Sequence, residues 1–288
     1  RRRPARPPVA RFPVWGWAGG ALMLGGWVLI WTRFSWAARV QPFTFSLPWF
    51  GYILVVQAWT FRHCGSCRLT AQPGAFLLLF PVSAAFWWYF EYLNRFVQNW
   101  YYVGIGDLSA TGYFWLATLA FSTVLPAVLG TYDLLTAWLG LTPSEPRSTR
   151  RFPRWIPFVL LAVSAAGLTF LAVWPDLLFP LLWLAPLLLL SAARLLAGRP
   201  PLDTEPGEHL WPRIARLAAA ALICGFFWEM WNYYSLARWI YAVPYVNRFH
   251  LFEMPILGYA GYLPFGIECA LIGDLVRQSC CRKETEAP

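Results

Sequence analysis

The chain has 288 residues, of which 58% are hydrophobic, 19% aromatic and only 13% charged. Soluble domains carry about 25% charged residues, so this composition excludes a solvent-covered globular protein and leaves lipid to cover most of the surface. A formal charge of +9 suggests nucleic acid in a soluble protein, but here the arginines are scattered over short loops with no patch to track a phosphate backbone, and no nucleic-acid partner is expected.

The basic opening "RRRPARPPVARF" precedes the apolar run Val14–Trp31. That run is longer than a signal-peptide core, and no A-x-A cleavage site follows, so it predicts a first membrane span. Phe43–Phe61 has about the length that crosses a bilayer. Gly74–Phe90 is shorter and extends past isolated polar residues. Tyr113–Tyr132 and Ile156–Pro175 are again of full length, and Leu177–Ala193 is a second shorter run. Leu217–Trp239 and Met254–Gly273 are each interrupted by one or two charges. Eight spans follow, in an all-α polytopic integral membrane protein.

Topology follows from charge. Placing the N-terminus, the second, fourth and sixth loops and the C-terminus on one side gathers nearly all the basic residues there. Arg33, Arg39, Arg238 and Arg248 lie on the other side, and Arg95 lies within a span. The positive-inside bias then puts both termini in the cytoplasm of a bacterial-type inner membrane.

The chain also repeats itself. "RFPVW" at Arg11–Trp15 returns as "RFPRW" at Arg151–Trp155. Pro48, Glu91, Asn94 and Pro126 match Pro186, Glu229, Asn232 and Pro264, each 138 residues on. Four spans per half return the chain to its starting side, so the halves are expected as parallel repeats about an axis along the membrane normal. The first covers 11–141 and the second 156–279, joined by the polar, Pro-containing linker 142–155. The long loop "AGRPPLDTEPGEHLWPR" carries acids and prolines and is expected as a solvated cytoplasmic connection.

"FFWEMWNYY", Phe226–Tyr234, sets Glu229 and Asn232 inside one of the most apolar segments, and "FWWYFEYLNRF" does the same for Glu91 and Asn94. A carboxylate in hydrocarbon costs about 2.5–3.5 kcal/mol on insertion scales, so each should face a neighbouring helix or a cavity. Residues three apart share a helix face. If the two helices meet at the pseudo-axis, two carboxyls and two amides converge. Glu and Asn can instead hold helices together, with Arg95 a partner for Glu91. Glu229 and Glu91 are the leading candidate catalytic acids, since a neutral carboxyl in a dry site can donate a proton or bind a ligand. Asn94 and Asn232 are expected to orient them, with Trp228, Trp231 and Tyr262 as substrate contacts.

The second half adds His250, Glu253 and Glu268, which have no polar counterparts 138 residues earlier. His250 and Glu253 read as an outer surface pair, as groups at an entrance, or as acid–base groups that with Glu268 join Glu229 and Glu91 in an asymmetric catalytic site. The glycines and proline of "GYAGYLPFG" predict either a broken helix beside a buried acid or close packing through small residues. Aromatics follow both glutamates, in "NWYYVG" and "RWIYAVPY". They read as belts at the membrane interface or as walls for a long apolar ligand.

"HCGSC" with Cys280 and Cys281 lies on the cytoplasmic side, where disulfides are disfavoured. Metal binding at Cys64 and Cys67, lipid attachment at Cys280 or Cys281 and unmodified thiols all fit; no cofactor is assigned. Walker, H-E-x-x-H and G-x-S-x-G motifs are absent. Helical repeats, buried acids and an apolar setting resemble the small lycopene cyclases of carotenoid metabolism, which implies an isoprenoid substrate. Their Pro-x-Glu-Glu signature is absent, "FEMP" at Phe252–Pro255 being the nearest stretch, so the resemblance assigns no residue. Three readings follow: a protein that binds or converts a lipid-like molecule, a proton- or cation-coupled transporter, and a non-catalytic subunit of a membrane complex or homo-oligomer.

Overall fold

A computed structural model describes residues 11–106, 108–139, 152–202 and 210–286, with side chains to residue 280. In chain order the helices are α1 (Val14–Trp31), α2 (Ser46–Cys64), the single turn α3 (Arg68–Ala71), α4 (Pro73–Val97), α5 (Ala110–Phe121) and α6 (Val124–Leu139). The second part holds α7 (Ile156–Phe170), α8 (Pro175–Leu196), α9 (Leu210–Tyr233) and α10 (Tyr262–Glu286). Two short ribbons interrupt them. β1 (Trp100–Val103) pairs with β2 (Arg238–Tyr241), and β3 (His250–Leu251) with β4 (Met254–Pro255). The linker 142–151, the acidic stretch 203–209 and the Cys281 side chain lie outside the described residues.

Among the described residues six helical segments are long and apolar enough to cross a membrane: Val14–Trp31, Pro73–Val97, Ala110–Leu139, Pro175–Leu196, Leu210–Tyr233 and Ile256–Cys280. The fold is that of an all-α membrane protein. Its outward side chains agree: Trp17, Trp115 and Trp211 are 70%, 64% and 76% exposed, which water would penalise and lipid covers.

Several boundaries differ from those expected, each for a local reason. The third expected span runs past Phe90 to Val97, taking Glu91 and Asn94 into the helix. The fourth is two helices. Ser83 of α4 inserts into the ladder between them: its hydroxyl donates to Phe121 O at 2.6 Å and accepts from Leu125 N at 3.0 Å. That replaces the helical bond between those two groups and bends the chain. The seventh helix stops at Tyr233, and Trp239 becomes a strand residue. The eighth does not begin at Met254, which lies in β4. A 3₁₀ segment, Ile256–Gly261, comes first, and the α-helix starts at Tyr262 with Pro264 in its first turn.

α1 packs on α2 through glycines. A Cβ at Gly19 would meet Leu54 at 2.6 Å, and one at Gly51 would strike the backbone of Met23; small residues let membrane helices approach this closely. α2, α6 and α9 pack together in the middle, with α4 and α10 beside them, around Trp49, Trp231, Phe90 and Phe265. Charge gathers at one end of the bundle. Arg68 grips Asp133 at 2.5 and 2.9 Å, and Asp274 lies 3.7 Å from Arg213 and 3.3 Å from Arg277. The β1–β2 ribbon closes the opposite end.

Candidate functional site

The ribbon and the two glutamates form one construction. β1 leaves α4 after two residues and β2 leaves α9 after four. Trp100 lies opposite Tyr241, Tyr102 opposite Trp239, and Tyr101 opposite Ile240 at the centre. Each strand is tied to its helix by an asparagine. The Asn94 amide donates to Trp100 O at 2.7 Å and accepts from the backbone of Asn99 at 2.8 Å and Trp100 at 3.3 Å. The Asn232 amide donates to Trp239 O at 2.8 Å and accepts from Trp239 N at 2.9 Å. The expectation that these asparagines orient the carboxyls is corrected. They hold the strands, because freshly freed backbone groups in an apolar setting demand partners.

The strands deliver aromatic donors to the carboxyls. Glu91 accepts from the Tyr102 hydroxyl at 2.6 Å and from the indoles of Trp100 at 3.1 Å and Trp87 at 3.2 Å. Arg95, the expected partner, is exposed instead. Glu229 is fully buried and accepts from Tyr241 at 2.7 Å and Tyr262 at 3.1 Å. Trp239 donates to the Tyr241 oxygen at 2.8 Å. Burial, with the facing carboxylate second, pushes the strand phenols Tyr102 and Tyr241 well above the ordinary tyrosine range, so both remain proton donors. Tyr262 reaches Glu229 because Gly225 lies beneath its ring: a Cβ there would sit 2.5 Å from the ring edge.

These donors line a cavity of about 420 Å³ below the ribbon, bounded by α2, α4, α5, α8, α9, β1, β2 and the start of α10. The volume is within the usual range for small-molecule sites, about 300–1,000 Å³. Trp87, Trp183, Phe121 and Trp228 form apolar walls, and the described lining contains no charged side chain. Glu91 and Glu229 do not line it. They stand one layer back and reach it through their tyrosines and tryptophans.

The other expected residues separate. Trp228 and Tyr262 line the cavity and stack on each other, centroids 6.2 Å apart and planes at 16°. Trp231 is fully buried in the core against Trp49 and Phe227 instead, so its expected substrate contact is corrected. Glu268 is fully buried on α10 with no side-chain partner for either oxygen, away from the cavity lining. His250 is exposed and bonds Asn247 at 2.9 Å, while Glu253 pairs with Arg238 at 3.4 Å; the two do not act as a pair. No group of three or more His, Cys, Asp or Glu among the described residues could hold a metal ion.

Asn99 and Trp183 of the lining were not picked out from sequence, and Tyr102 and Tyr241 only as part of two aromatic stretches, not as partners of the glutamates. A signal was present: Trp100-x-Tyr102 recurs as Trp239-x-Tyr241. Comparison with known proteins gave no match to any family model, curated protein or solved structure.

Proposed function

We propose that this chain is an integral membrane protein that takes a lipid-like, isoprenoid-type molecule into the aromatic cavity beneath the ribbon. The observation that carries this is the cavity itself: about 420 Å³, walled by tryptophan, tyrosine and phenylalanine, within a chain made for lipid. The carboxyls anchor the walls. Where the bound molecule is converted, the proton passes through a cavity-lining tyrosine that a glutamate holds. The transporter reading needs a carboxyl open to a cavity, and neither Glu91 nor Glu229 is among the residues that line this one, which favours binding.

We further propose eight spans in two parallel four-helix repeats, α2 and α7 supplying the two spans beyond the six. Supporting this, a two-fold axis through Tyr101 and Ile240 exchanges Trp100 with Trp239 and Tyr102 with Tyr241. It also exchanges the Asn94 clamp with the Asn232 clamp. The donors differ where the halves diverged: Trp87 of the first half corresponds to Gly225, and the space this glycine leaves is taken by Tyr262. The charged end, with both termini, faces the cytoplasm of a bacterial-type inner membrane, as the positive-inside bias favours.

Mass spectrometry of organic extracts of the purified protein tests the binding reading. One apolar molecule should be retained at near-stoichiometric level and lost from a Trp228→Ala, Trp183→Ala variant. Recovery of bulk phospholipid alone from the wild type would contradict it.

A further inference from the structure

Two polar side chains on the cavity wall have no partner. Asn99, at the entrance to β1, is 1% exposed, and its backbone is fully engaged: the N–H donates to Asn94 and the carbonyl accepts from Ala242 N at 2.8 Å. Neither end of its side-chain amide makes a hydrogen bond. Ser46, in the first turn of α2, is 2% exposed and its hydroxyl is likewise unpaired. Both residues line the cavity. Three of the lining tyrosines, Tyr102, Tyr241 and Tyr262, are committed to Glu91 and Glu229. A buried amide without a partner costs about 1–3 kcal/mol, and the cost vanishes if a ligand atom supplies the missing bond.

Resting on the binding reading above, we propose that the ligand is uncharged and carries an oxygen function, a hydroxyl or a carbonyl, that hydrogen-bonds the Asn99 amide, with the Ser46 hydroxyl a second polar contact in the lining of the same cavity. The charge-free lining argues against a phosphate, carboxylate or ammonium head, because a charge in an apolar cavity without a counter-charge is strongly disfavoured. An amide is suited to the neutral case, since it offers two donors and an acceptor at once. The rest of the molecule lies against Trp87, Trp183, Phe121 and Trp228, where flat or unsaturated hydrocarbon packs well.

The test is a titration of the detergent-purified full chain, read by tryptophan quenching, with three probes of one skeleton: farnesol, farnesyl diphosphate and farnesene. Farnesol should bind at least about tenfold more tightly than the diphosphate and a few-fold more tightly than the hydrocarbon, as one neutral hydrogen bond allows. Asn99→Leu should remove the preference of farnesol over farnesene while leaving farnesene binding intact. Ser46→Ala, a milder change, should reduce the same preference and serves if Asn99→Leu does not fold. Tighter binding of the diphosphate, or an alcohol preference that survives both substitutions, would overturn the head-group assignment while the cavity reading stood. No saturable quenching by any probe would overturn both.

Discussion

At the scale of single residues, Glu229 is an acceptor before it is anything else. Two buried phenols point at one of its oxygens. Glu229→Gln keeps an oxygen in place and should cost below about 1.5 kcal/mol, whereas Glu229→Leu strands both hydroxyls and should cost about 2–5 kcal/mol. Thermal unfolding in detergent orders the two variants; equal losses would show that the carboxyl is not the tyrosines' anchor. Gly225 makes a companion case. Gly225→Val pushes the Tyr262 ring off α9 and should destabilise by about 1–3 kcal/mol through overpacking. In a Tyr262→Ala background Gly225→Val should cost much less than it does alone, since the nearest atoms its Cβ would meet all belong to that ring. The glutamates and asparagines stood out in the sequence because polar residues in apolar helices are costly. Asn99 and Ser46 did not, because a polar residue near a span end is ordinary until the cavity beside it is known.

At the scale of elements, the ribbon binds the two halves of the site together. Asn94 and Asn232 each clamp the first tryptophan of a strand, and the strands then pair with each other. Asn94→Ala or Asn232→Ala alone should cost about 1–3 kcal/mol and speed amide exchange at Trp100 and Trp239. Since the strands share their pairing, the double variant should lose less than the sum of the singles. Strict additivity would mean the strands are held independently. A helix lies under each of the eight apolar runs, because length and hydropathy suffice for that, but only Val14–Trp31, Phe43–Phe61 and Leu177–Ala193 match their helices to within three residues at both ends. The break between α5 and α6 was not legible, since it depends on Ser83 arriving from another helix. The strands were hidden for a related reason: "NWYYV" and "RWIYAV" have the composition of an interfacial belt, and only their mutual pairing makes them a ribbon.

At the scale of the whole molecule, the Arg68–Asp133 pair and the ion pairs of Asp274 lie at one end of the bundle and the β1–β2 ribbon at the other, and the E-x-x-N spacing drew attention to the two glutamates in the sequence but not to the aromatic donors that bond them. The orientation is open to direct measurement. Cys64 is exposed at the charged end. In a variant with Cys280 and Cys281 replaced by serine, a membrane-impermeant maleimide should label Cys64 only after the cells are permeabilised; labelling of intact cells would reverse the topology. The central claim is that the space under the ribbon is a ligand site. A density map of the purified chain at side-chain resolution tests it most directly. The account predicts an elongated feature between Trp87, Trp183 and Trp228 with one end within hydrogen-bonding distance of Asn99. A cavity closed by these side chains, or filled by ordered water bridging to Glu91 and Glu229, would contradict it.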